Sequence, residues 1–99
     1  MTAPAGWITI PVMRVLELTN ISRRKTPLLY RRTYTATAVL AHGPTGRSSG
    51  RVEFVLEHSP LGAVDIRVHF LDEIDCPILP AVTALRAHIA RLEQNGELP

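Results

Sequence analysis

The sequence predicts an α+β domain: a four-stranded antiparallel meander sheet with one C-terminal helix packed on its apolar face. Three observations point there. Residues 51–57 and 64–70 alternate apolar and polar side chains, residues 32–41 are rich in Thr and carry Tyr34, and Val82, Leu85, Ile89 and Leu92 recur at spacings of three, four and three. Alternation marks a strand with one face buried, Thr and Tyr suit a pleated surface, and the helical spacing draws one apolar stripe.

The first strand runs from about Trp7 to Leu18. Ile8, Ile10 and Val12 share one parity, Met13 and Val15 share the other, and Leu16 and Leu18 return to the first. Pro11 cannot donate to a ladder, so this is an edge strand or one bulged near Pro11; a short helix from Pro11 is the competing reading. The second strand, Arg32 to Ala41, turns Tyr34, Ala36, Ala38 and Leu40 to the core and Thr33, Thr35 and Thr37 outward. Residues 42–50 read as a long glycine-rich hairpin loop. The third strand presents Val52, Phe54 and Leu56 on one face and Arg51, Glu53 and Glu57 on the other, and the fourth alternates more strictly. Pro60 and Gly62 make the turn between them. Pro80 suits the first helical position, where a missing N–H is no loss, and Asn95-Gly96 is a stop signal.

Ninety-nine residues make one domain, 1–99, with 1–6 and 97–99 as disordered tails. A chain this short buries about two-thirds of its unfolded surface, enough for one core. A single cysteine excludes a disulfide framework and a Cys-rich metal site within the chain. With no signal-peptide pattern and no long apolar run, the expectation is a soluble cytoplasmic protein that does not enter membranes.

The net charge of +2 hides a division. Residues 14–51 carry eight Lys and Arg against Glu17 alone, net +7, whereas residues 52–99 carry three Arg against eight acids, net −5. Such asymmetry hints at an electrostatic partner unless strands from the two halves pair and neutralise one another.

Several segments invite chemistry. Five cations and no acid fall within Ser22–Arg32, so Arg23, Arg24, Lys25, Tyr30, Arg31 and Arg32 are candidate contacts for nucleic acid or phosphate. The loop 43–50 has three glycines and an arginine but lacks the lysine of a phosphate-binding loop and leads into a strand. Asp72, Glu73 and Asp75 beside Cys76 suit solubility or a cap on the coming helix better than a metal site. Cys76 at a helix start would have a lowered pKa, against the plainer reading of a small buried apolar residue. His42 and His58 flank the hairpin of strands two and three, and His69 on the polar face of strand four faces Glu53 or Glu57, a pairing that an acid–base couple would use. No catalytic residue, metal ligand or cofactor motif stands out.

Geometry supplies the leading functional expectation. Four strands span roughly 19 Å at about 4.8 Å each, whereas a helix with its side chains is about 10–12 Å across. One helix leaves apolar sheet uncovered, and the outward side of this helix is rich in alanine. The expectation is therefore a small non-catalytic interaction module that forms a homodimer or binds a protein partner. Its association surface would comprise Val12, Met13, Val15, Leu16, Leu18, Ala84 and Ala87. The alternatives are a nucleic-acid-binding domain using the basic loop 23–32, and a small enzyme with a His/carboxylate site on the outer sheet face.

Overall fold

A computed structural model describes residues 13–25 and 30–99. Four strands, β1 (Met13–Arg24), β2 (Arg31–His42), β3 (Gly46–His58) and β4 (Val64–Phe70), precede one helix, α1 (Ile78–Gln94). They form a single antiparallel sheet in the order β1-β2-β3-β4, with the helix on one face. The fold is the α+β meander that the alternation and the C-terminal stripe predict.

The boundaries differ where side-chain pattern is weak. The expected start of the first strand, residues 7–12, lies outside the described residues, and β1 continues past Leu18 to Arg24. Its changing parity has a mechanical cause. Register shifts occur between Val15 and Glu17 and between Thr19 and Ser22, the second carrying Asn20 at φ 54°. Each bulge returns the next apolar residue inward, so Met13, Val15, Leu18 and Ile21 all pack against the core. The expected long loop 42–50 is a three-residue turn, because His42 already pairs with Gly46 and β3 starts there.

Tyr34, Ala36, Ala38 and Leu40 of β2 and Val52, Phe54 and Leu56 of β3 are almost wholly buried beneath Ala81, Leu85 and Ile89 of α1. Leu85 and Ile89 of the expected Val82–Leu92 line form the buried stripe together with Ala81, while Val82 and Leu92 sit half-buried at its margin. Tyr34 and Phe54, directly opposite across the strands, stack with ring centroids 5.0 Å apart. Each large side chain buried this way stabilises the fold by about 1.5–3 kcal/mol relative to exposure.

The helix approaches the backbones of both edge strands, β1 and β4, more closely than those of the central pair. The linker from β4 crosses the far end of the face with Ile74 and Cys76, and Leu98 covers the near end. Chain segments beside the helix thus cover apolar surface that one helix cannot.

The helix start corrects another expectation. Pro77 occupies the N-cap with no side-chain cap bond, so Asp75 does not cap α1, and Pro80 falls in the third position rather than the first. At the other end Gly96 at φ 67° donates to the Glu93 carbonyl and Glu97 to the Leu92 carbonyl, a Schellman ending.

Candidate functional site

Two polar clusters pin the helix across the sheet. At its C-terminal end Arg32, inward-facing at the end of β2, bonds the Glu93 carboxylate, and its NH1 donates to Tyr34 Oη at 3.2 Å. Its NH2 lies 3.0 Å from His58 Nε2, and Tyr34 Oη donates to the Pro99 carbonyl at 2.8 Å. Burial alone would lower the Arg32 pKa, but the bonds to Glu93 and Tyr34 and their charge raise it above the ordinary arginine value. Residues 97–99, expected as a loose tail, carry Leu98 against the core and Pro99 against this cluster.

At the other end, buried Ser48 lies 3.0 Å from His42 Nε2 and donates to the Asp75 carbonyl at 3.1 Å. A hydroxyl has one proton, so the histidine nitrogen donates to Ser48 Oγ and does not deprotonate it. Cys76, half-buried beside them, has its pKa raised by burial, which outweighs the opposing effect of Ser48, with a lesser upward push from the Asp75 charge. This overturns the reading of a lowered thiol. Both clusters are built as clasps: their donors and acceptors are spent on one another.

The sequence-predicted basic loop is largely strand, with Arg23 and Arg24 ending β1 and Arg31 and Arg32 opening β2. Arg24 pairs with Glu53 at 3.4 Å, Arg31 lies 3.7 Å from Glu57, and Arg32 is held by Glu93. Arg51, also from the basic half, binds Asp72 at 2.8 Å. Four of the eight cations of the basic half therefore pair with acids of the other half. Among the described residues Arg23 and Lys25 form no ion pair, and Tyr30 is half exposed. His69 stands directly opposite Glu53, as its parity implies, but the Glu53 carboxylate is taken by Arg24. Among the described residues no three His, Cys, Asp or Glu side chains gather as a metal site would require.

The expected association residues divide. Met13, Val15 and Leu18 are half-buried in the protein's own core, Leu16 projects at the first bulge, Ala84 is half-buried and Ala87 exposed. Val12 lies outside the described residues. Sequence reasoning missed a different surface, the outer edge of β4. Leu71 N donates to the Arg51 carbonyl and Ser59 N to the Ala63 carbonyl, each at 2.8 Å. Antiparallel ladders alternate, so the odd-numbered residues of β4 turn their backbone groups to β3. The even-numbered ones, Val64, Ile66, Val68 and Phe70, turn theirs to the open edge.

The sequence matches one family model, that of the BB-0187 family, over residues 10–94. The chain belongs to the BB-0187 family. The match extends from three residues ahead of β1 to the last residue of α1. No curated protein and no solved structure matches the chain. Among the described residues, the outer edges of β1 and β4 are paired with no further strand. Among the described residues, no helix is long and apolar enough to cross a membrane.

Proposed function

We propose that the protein is a small non-catalytic interaction module that works by associating with a second chain, most simply its own copy. The observation that carries this reading is the apolar surface left outside the closed core. Leu61 is 95% exposed, Leu79 80%, Ile78 49% and Leu71 47%. These side chains flank β4 and open α1, and covering them would remove apolar area from water. The polar groups that chemistry could have recruited are engaged in holding the helix and the linker, which supports a binding role over a catalytic one.

Nucleic-acid binding through residues 23–32 has less support, since three of its arginines face carboxylates that a phosphate backbone would have to displace. Sedimentation velocity on the full chain over a hundredfold concentration range tests the reading. The expected result is a reversible monomer–dimer equilibrium; a monomer throughout contradicts it.

A further inference from the structure

The two open edges of the sheet are not equivalent. β1 is interrupted by two bulges and by Asn20 in a left-handed conformation, devices that keep an edge from accepting another strand. β4 has neither: its seven residues pair with β3 in unbroken register, and it contains no proline. The segment that follows β4 also leaves the strand's outer side clear. After Phe70, Asp72 turns back to accept from Arg51 N and its guanidinium, and the linker runs over Gly50 and Ser48, away from that side.

We infer that β4 is a self-pairing edge, joining a second copy antiparallel about a twofold axis through Ile66 so that two four-stranded sheets become one. This rests on the self-association proposed above and names its surface. Three features on one strand agree with that register. The residues whose backbone groups turn outward are the even-numbered ones, so Ile66 exchanges hydrogen bonds with Ile66 of the second copy and Val64 with its Val68. The same register sets Asp65 opposite the second copy's Arg67, and Arg67 opposite its Asp65, on the solvent face. These charges are exposed and lie 3.1 Å apart within each strand, so pairing makes an alternating four-charge cluster with no like charges directly opposed. Finally, the axis brings the turn carrying Leu61 toward the second copy's Leu71, two exposed leucines that nothing in the monomer explains.

Moving the axis to Arg67 or to Asp65 would oppose that charge to itself. A register shifted by one residue would set the open backbone groups of one strand against side-chain positions of the wrong face. Among axes through the three residues Asp65, Ile66 and Arg67, the charge pattern therefore selects the one through Ile66. A hollow of about 830 Å³ beside Ala63 and Val64, walled by Tyr30 and Pro60 and rimmed by Glu57, His58, Asp65 and Arg67, lies at the end of the strand where the second copy's Leu71 would arrive.

The test is a charge swap read by sedimentation. D65R and R67D each turn both symmetric pairs repulsive, and each should weaken the dimer by at least about tenfold. Mixing the two variants restores opposite charges at every position and should restore the dimer. The double variant D65R/R67D keeps the pair within the strand, so it should fold and dimerise with itself yet fail to pair with the wild-type chain. Variants that dimerise as wild type does, or a double variant that pairs freely with wild type, overturn the β4 register while leaving self-association standing. A wild-type chain that never dimerises overturns both.

Discussion

At the scale of single residues, the side chains that look reactive in the sequence are those the fold uses as ties. Arg32 and Glu93 lie 61 residues apart and neither stands out in its own segment; only the packing of α1 over the end of β2 brings them together. That is why the cluster was illegible, whereas inward Tyr34 and Phe54 could be read from parity alone. Arg32→Ala removes bonds to Glu93, Tyr34 and His58 in a half-buried place and should cost about 1.5–3 kcal/mol in urea denaturation. Arg24→Ala breaks an exposed pair and should cost less than about 1 kcal/mol. Equal losses would contradict the assignment of Arg32 as a clasp.

Asp72 gives a pH prediction. Hydrogen bonds from the Arg51 guanidinium and backbone N–H hold its carboxyl at about 2, below its ordinary 3.8. In that window the unfolded chain binds more protons than the folded one, so the stabilisation is complete above about pH 4 and is lost as pH falls toward 2. In Arg51→Ala the NMR titration midpoint of Asp72 should rise toward 3.8 without reaching it, because the backbone donor remains. An unmoved midpoint would assign the depression to another source.

At the scale of elements, strands were legible where apolar residues alternate and vanished where small residues replace them. β4 coincides with its alternating segment, residue for residue, but β3 begins five residues before Arg51, through Gly46, Ser48 and Gly50. The reason is packing. The inward positions Ser48 and Gly50 are small because the linker crosses there: a Cβ on Gly50 would stand 2.9 Å from Ile74 Cγ2. Strand identity at those positions is set by backbone pairing with β2 and carries no hydrophobic signature. Gly50→Ala should therefore cost about 1–3 kcal/mol, and adding Ile74→Ala should recover part of that loss. Thermal unfolding of the two variants checks this, and strictly additive losses would show that the linker does not press on Gly50. In β1 the same lesson takes another form, since two bulges scramble a pattern that a straight strand would display.

At the scale of the whole molecule, the charge division along the chain proves in part to be internal complementarity, with Arg24, Arg31, Arg32 and Arg51 answering Glu53, Glu57, Glu93 and Asp72. The covering deficit inferred from strand count and helix width is met partly by the linker and Leu98. A second chain is consequently expected at the sheet edge rather than on the sheet face. The central claim, that the protein associates through β4, is tested most directly by amide hydrogen exchange on the wild-type chain at low and high concentration. Asp65, Arg67 and His69 bond to β3 in either state and should be protected at both. Val64, Ile66 and Val68 turn their N–H groups outward, so they should exchange rapidly when dilute and slow by tenfold or more as the dimer forms. Equal, rapid exchange of these three amides at both concentrations, in a sample that sediments as a dimer, would contradict the account.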